Sequence, residues 1–243
     1  MIEVKVIAVT PNPINVLYTA AKTCYSSENP QDIFDNHESL EDKLKLITKV
    51  IGYGHTSILE HVSVSFVISG VSRALSHQIV RHRHCIYSQK SQRYCNEGTF
   101  DYVTPESITN SQFSERYKQL MTDIGIFYRD MSGSGIPNED ARFILPNACE
   151  TSFTVSMNLK EFIYICGLRL CSKAQWEIRD LVGKMKDELL AEQAFETIKN
   201  NHITFGSKGF TWLEPYLQPK CVAIGRCTEK NSCGLINKKE SEE

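Results

Sequence analysis

Residues 62–69 read VSVSFVIS, a strict alternation that puts Val62, Val64, Phe66 and Ile68 on one face. A period of two commits this stretch to a strand with one buried face, so the chain must supply a sheet and something to cover it. Two more segments answer that demand. Residues 2–9 set Ile2, Val4, Val6 and Ala8 against Glu3 and Lys5, and TSFTVSM at 151–157 alternates again. Between and after them the period changes to that of a helix. Leu40, Leu44, Ile47 and Ile51 form one apolar stripe, closed by Gly52 and Gly54. A second stripe runs through Phe113, Tyr117, Leu120, Ile124, Tyr128 and Met131, and a third through Ile178, Leu181, Val182, Met185 and Leu189. The strands are not joined by regular crossover helices. The fold class expected is therefore α+β, a mixed or antiparallel sheet packed with long amphipathic helices, and not a doubly wound sheet.

Local signals refine this. Ser72 is a good N-cap and no Gly or Pro follows until Gly98, which predicts a helix over about 73–84. Ser57 with Glu60, and Asn158 with Glu161, have capping-box spacing. Asn138 is expected to cap a helix holding Ala141 and Arg142. No internal repeat and no Pro-, Gly- or Ser-rich linker divides the chain, and NKKESEE at its end reads as a disordered tail. The opening MIEVKVIAVTPNP lacks the features of a secretory signal, and no apolar run is long enough to span a bilayer.

The most unusual stretch chemically is RHRHCIYSQKSQRY, residues 81–94, which carries three arginines and no acid. The formal net charge of the chain is -2, which argues against nucleic acid as the main partner but leaves room for a local anion pocket. Guanidinium forks suit phosphate, and Ser88, Gln89, Ser91 and Gln92 add neutral donors and acceptors of the kind a base and sugar need. On a continuous helix Gln78, Arg81 and His82 share a face, while Arg83 points away with Ile79. The alternative is a solvated helix end whose arginines pair with acids elsewhere. There is no GxGxxG and no GxxxxGK[ST], so nucleotide binding here must use side chains rather than a glycine loop.

Other chemistry is less well supported. His55, His61, His82, His84 and Cys85 lack the spacing of zinc motifs, and neighbouring cations disfavour a metal, so no metal site is expected there. Nine cysteines, odd in number and scattered, point to reduced thiols and a cytoplasmic setting. Cys85, Cys95 and Cys149 lie near polar residues but in no nucleophile motif, and Cys166 and Cys171 look like core residues of an apolar helix. Cys221, Cys227 and Cys233 contain no C-x-x-C pair. Zinc is one reading of them, and free thiols in a loosely packed segment are the simpler one.

Arg81-His82-Arg83, followed seven residues later by Ser91 and then Arg93-Tyr94, resembles the signature of the flavin-dependent thymidylate synthase family. GHTSILEH, NEDARFILP, NLKEFIYICGLR and AQWEIR resemble that family's other blocks in the right order, over residues 54–179. The resemblance implies a family-specific fold over residues 1–217, followed by an extension over 218–243. It implies FAD as cofactor, NADPH as reductant, and methylation of dUMP to dTMP with 5,10-methylenetetrahydrofolate as carbon donor and no cysteine nucleophile. It also implies a homotetramer whose active sites are shared between subunits, without nucleic acid or membrane as partners.

By the same resemblance His55, Ser57, Arg81, His82, Arg83, Gln89, Asn158, Leu159, Lys160 and Tyr164 fall on cofactor positions. Gln78, Arg81, Gln89, Lys90, Ser91, Gln92, Arg93, Arg142 and Arg169 fall on dUMP positions. Arg169 matches the arginine that polarises the uracil ring. Two positions depart from the family: Ser88-Gln89 stands where many members have Asn-Glu, and Tyr164 where His or Asn is frequent. The rival readings are a nucleotide-binding module without chemistry and a metal hydrolase built on the His and Cys residues.

Overall fold

A computed structural model of the chain describes residues 1–191 and 209–236. The described elements run β1 (Glu3–Val9), α1 (Pro13–Thr23), α2 (Pro30–Phe34), α3 (Leu40–Gly52), β2 (Ser63–Ser72), α4 (Arg73–Ile79) and β3 (Ile86–Gln89). They continue with α5 (Glu106–Thr109), α6 (Ser114–Gly133), α7 (Asn138–Ala141), β4 (Glu150–Asn158), α8 (Leu159–Arg169), α9 (Trp176–Leu190) and α10 (Lys220–Ile224). Short 3-10 helices cover Thr56–His61, Arg142–Ile144 and Thr211–Tyr216. The tail expected at 237–243 lies outside the described residues. No helix among the described residues is long and apolar enough to cross a membrane.

The four strands form one antiparallel sheet in the order β1-β2-β4-β3, so the α+β expectation holds. The two central strands are the two that alternate most cleanly. Val64, Phe66 and Ile68 of β2 and Phe153, Val155 and Met157 of β4 are all buried. The edge strand β1 is different: Ile2 and Val6 are buried, but Ala8, expected on the same face, is exposed. The register of β1 on β2 is marked at Thr10, whose N–H donates to the Ser63 carbonyl at 3.0 Å, and at the other end by Gly70 against Met1. Gly70 has φ of 69°, and a Cβ there would fall 2.2 Å from the Met1 carbonyl oxygen, so only glycine fits. The short edge strand β3 is a tertiary effect that local pattern did not announce.

The described chain divides into two units. The first comprises Met1–Glu3, Val67–Arg83 and Tyr87–Thr154. Leu75 and Ile79 of α4 and Tyr128 of α6 are fully buried there, and Tyr87 meets Phe153 edge-on at 6.2 Å. The second comprises Val4–Phe66, His84–Ile86 and the described residues from Val155 onward. Its core holds Leu17, Tyr18, Ile33 and Ile47 from α1, α2 and α3, and Ile165, Cys166, Ile178 and Val182 from α8 and α9. Phe66 and Phe162 pack with ring centroids 5.6 Å apart and planes tilted by 38°.

Some local readings hold and others change. The Ser72 hydroxyl accepts from the Leu75 N–H at 3.0 Å, and Asn158 Oδ1 accepts from the Glu161 N–H at 2.9 Å, so both caps are real. The α9 stripe is buried as its periodicity predicts, whereas α6 buries Met121, Gly125 and Tyr128 and leaves Phe113 and Leu120 of its expected stripe exposed. By contrast α4 stops at Ile79, five residues short of the expected 84: the next N–H groups bond three residues back, Arg81 to Gln78 and His82 to Ile79, and Tyr87 Oη adds a bond to the Ile79 carbonyl at 2.7 Å. Asn138 begins α7 without capping it, and Ser57 makes no cap in the 3-10 helix that starts at Thr56. Cys171 lies beyond the end of α8 and is half-buried, not a helical core residue.

Candidate functional site

The shortened helix changes the geometry of the arginine strip. Arg81, His82 and Arg83 sit in the turn between α4 and β3, so no helical face aligns Gln78 with Arg81. The turn is held by Arg81 N–H to the Gln78 carbonyl at 3.3 Å and His82 N–H to the Ile79 carbonyl at 3.1 Å. Tyr87 Oη also reaches the His82 carbonyl at 3.3 Å. His82 is only 5% exposed, whereas Arg81 and Arg83 project to solvent on either side of it. Among the described residues neither arginine has an acid partner within ion-pair distance. The reading in which acids neutralise these two forks therefore fails at this turn.

The rest of the strip behaves differently. Arg93 Nη2 lies 2.9 Å from Glu139 Oε2, and Arg93 Nε donates to the same oxygen at 2.9 Å. Arg142, half-buried, donates from Nε to the Glu139 carbonyl at 3.1 Å, so Glu139 gathers both arginines. Lys90 pairs with the buried Glu97 at 3.0 Å, and the Gln89 amide donates to Thr151 Oγ1 at 3.2 Å. Gln92 contacts Cys149 Sγ at 3.6 Å, and Ser91 Oγ accepts from the Arg93 N–H at 3.2 Å. Underneath, Arg73 donates to the Lys90 carbonyl at 2.8 Å and the Lys90 N–H bonds to the Ser152 carbonyl at 2.9 Å, which ties the segment to α4 and β4. Burial holds the Arg73 guanidinium below its ordinary pKa. Glu139, Arg73 and Glu97 were not singled out from sequence. Glu139 lies inside the NEDARFILP block, and its proximity to Arg142 was the available signal.

The second unit holds the other predicted positions. His55 and Ser57 are exposed at the start of the Thr56–His61 helix. Glu60 of that helix pairs with Lys160, which pulls the Glu60 carboxyl below its usual range. The Leu159 N–H donates to the Val62 carbonyl at 2.9 Å, so the first turn of α8 is fixed by backbone as well as by the Asn158 cap. The Leu159 side chain is fully buried, leaving Lys160 and Tyr164, one helical turn apart, as exposed neighbours on α8. Arg169, half-buried, closes the same helix. Burial raises the Glu161 carboxyl at its start, an effect that the charge of His84 opposes.

Cys149 and Cys166 are not poised as nucleophiles. Burial pushes Cys149 up to about 11 and Cys166 up to about 12. Both are held protonated by the fold, so the stability they confer is complete below the ordinary thiol range and is lost as pH rises through it. Denaturant midpoints should therefore fall between about pH 8.5 and pH 11, and Cys149→Ala should flatten that fall. A Cys149→Ala slope identical to that of the parent chain would refute the assignment.

An α+β fold with two unneutralised guanidinium forks, followed by a hydroxyl- and amide-bearing strand end, has the chemistry of a protein that handles a small phosphorylated ligand. The comparisons sharpen that class. The family model described as "Thymidylate synthase complementing protein" matches residues 5–193, and the chain belongs to this family. A flavin-dependent thymidylate synthase of Thermococcus onnurineus is 37% identical over 233 residues, covering 94% of this chain and 89% of the relative. One from Geobacter sulfurreducens is 42% identical over 180 residues, covering 72% and 77%. The crystal structure of thymidylate synthase X from Helicobacter pylori with FAD and dUMP aligns with a TM-score of 0.64 at 23% identity, covering 78% of this chain and 93% of that one. This last likeness concerns the fold.

Proposed function

We propose that the chain is a flavin-dependent thymidylate synthase that converts dUMP to dTMP in the cytoplasm, taking its carbon from 5,10-methylenetetrahydrofolate. The observation that carries the reading is the pair of exposed arginines, Arg81 and Arg83, without acid partners among the described residues, in a family of flavin-dependent enzymes. Their chemistry fits the pyrophosphate of FAD, and His55, Ser57, Gln89, Asn158, Lys160 and Tyr164 supply further contacts. When bound, FAD reduced by NADPH supplies the hydride that the methylation needs.

The chain's own residues then have separable tasks. Arg81 and Arg83 hold phosphate charge. The buried His82 holds the turn that carries them, a positioning task in place of the direct contact its sequence position suggested. In the same way Leu159 serves through its backbone, since its side chain is enclosed. Gln78, Lys90, Ser91, Gln92, Arg93 and Arg142 present donors to the dUMP phosphate and sugar. Arg169 places a guanidinium where negative charge develops on the uracil ring as hydride arrives, the kind of fixed donor that lowers a barrier in a site kept from water. Residues 1–217 carry this activity, and the working form is a homotetramer whose subunits share active sites.

The Arg93–Glu139 pair gives a direct test of structural against functional use. Exposed ion pairs contribute about 0–1 kcal/mol, so Arg93→Ala should leave folding stability within about that range. A lost phosphate fork, in contrast, should raise the Kd for dUMP by about 10-fold or more. Calorimetric titration and urea melts of the same variant separate the two, and unchanged dUMP affinity would remove Arg93 from the site. The function as a whole is tested by product analysis: dTMP should form only when dUMP, methylenetetrahydrofolate, NADPH and FAD are all present.

A further inference from the structure

Four of the nine cysteines meet at the C-terminal end of the described chain. Cys171, just past α8, and Cys221, Cys227 and Cys233, from α10 and the segment after it, line one small cavity of about 40 Å³. Cys221 lies close enough to the other three for their charges to act on it. All four are free thiols. Lys173 and Lys220 border the same cavity.

A second observation asks what holds this segment in place. From Lys220 to Ile236 the only buried side chain is that of Cys221. One buried thiol contributes far too little hydrophobic free energy to fix a stretch of this length, where each ordered residue costs about 1–2 kcal/mol of backbone entropy. Short segments that lack a core are held by disulfides or metals. Leu168 and Gly167 of α8 form the floor on which α10 rests, with the Lys220 Cβ 3.7 Å from where a Cβ on Gly167 would stand.

We propose that Cys171, Cys221, Cys227 and Cys233 bind one zinc ion as a structural four-thiolate site that fastens the C-terminal segment to the end of α8. The chemistry of the donors selects the ion: four soft thiolates suit a d¹⁰ divalent cation in tetrahedral geometry. Four thiolates around a divalent ion leave two negative charges in excess and Glu229 at the cavity wall adds a third, of which Lys173 and Lys220 offset two. Each thiol that ligates releases its proton to solvent, so binding involves no change of oxidation state. Among the described residues no three such side chains already stand in a metal-holding arrangement, so binding draws the sulfurs inward. Gly225, between Cys221 and Cys227 with φ of 69°, gives the backbone a turn about which to do so.

The test uses the full-length protein purified without chelator. Elemental analysis should find about one zinc per chain. The Cys227→Ser/Cys233→Ser double variant should bind none, while dTMP formation stays within about twofold, because neither residue belongs to the proposed catalytic machinery. Limited trypsinolysis provides a second readout on the unaltered chain. Cleavage after Arg226 and Lys230 should be slow with zinc present and fast after chelation, as intact-mass spectrometry would show. Absence of zinc after its addition in excess, a disulfide among these cysteines, or iron in its place would overturn the proposal. None of these outcomes bears on the flavin reading, which the dTMP assay decides separately.

Discussion

Arg169→Ala should lower turnover by an amount on the order of 10²-fold or more, with dUMP and flavin affinity changed far less. The expectation rests on the role proposed for Arg169 beside the uracil ring, and the residue's position is compatible with that role. Arg169 is the last residue of α8, a helix whose start is fixed by the Asn158 cap and by the Leu159–Val62 backbone bond. A half-buried guanidinium at a helix C-terminus is favoured by the carbonyl dipoles there and loses little freedom when it engages a ligand. Such a group gains most when charge appears beside it, which happens on the uracil ring in the transition state and not in bound dUMP. Arg169→Lys keeps the charge but loses the fork, so it should recover only part of the rate. The assay is single-turnover dTMP formation with saturating substrates. A rate within about threefold of the parent would show that Arg169 is a surface cation with no part in the chemistry.

The second large effect concerns the flavin. Arg81→Ala/Arg83→Ala should weaken FAD binding by at least about 10²-fold, since each charge-assisted hydrogen bond to phosphate contributes roughly 1.5–3 kcal/mol. Because both side chains are exposed and without ion pairs among the described residues, removing them should leave the thermal midpoint nearly unchanged. Fluorescence titration of apoprotein with FAD measures the first quantity and a thermal melt the second. If FAD affinity stayed within about threefold, the forks would serve some other anion and the proposed placement of the flavin would be wrong.

Legibility in the sequence followed the physics of each element. Strands that are central in the sheet bury a whole face, so β2 and β4 carry an unbroken period of two that can be read directly. The edge strand β1 has weaker constraints, and Ala8 escapes its expected burial. β3 has four residues and no apolar face of its own, so only its pairing to β4 defines it. The end of α4 is hidden for a similar reason. Nothing in the residue types stops a helix at Ile79, and the Tyr87 hydroxyl that braces the turn after it arrives from β3. The consequence reaches the site. A continuous helix would put Arg81 and Arg83 on opposite faces, whereas they in fact flank a buried histidine in a turn.

Candidate site residues were legible by type and motif, but their partners were not. Arg93 and Arg142 could be named from sequence, whereas their meeting at Glu139 depends on how α7 approaches the segment after β3. Lys160 could be named, but its pairing with Glu60 joins residues far apart in the chain. The cysteines show the same limit. A spacing of five residues between Cys221, Cys227 and Cys233 says little until a fourth thiol, Cys171, is brought to them by the packing of α10 on α8.

Flavin binding, and reduction of that flavin for chemistry on dUMP, are tested most directly by one measurement. It is the visible absorption spectrum of the purified protein after reconstitution with FAD and gel filtration. The protein should elute yellow, bleach when NADPH is added without oxygen, and regain its colour as dTMP forms once dUMP and methylenetetrahydrofolate follow. A colourless protein after reconstitution, or a bound flavin that NADPH never bleaches, would contradict the assignment.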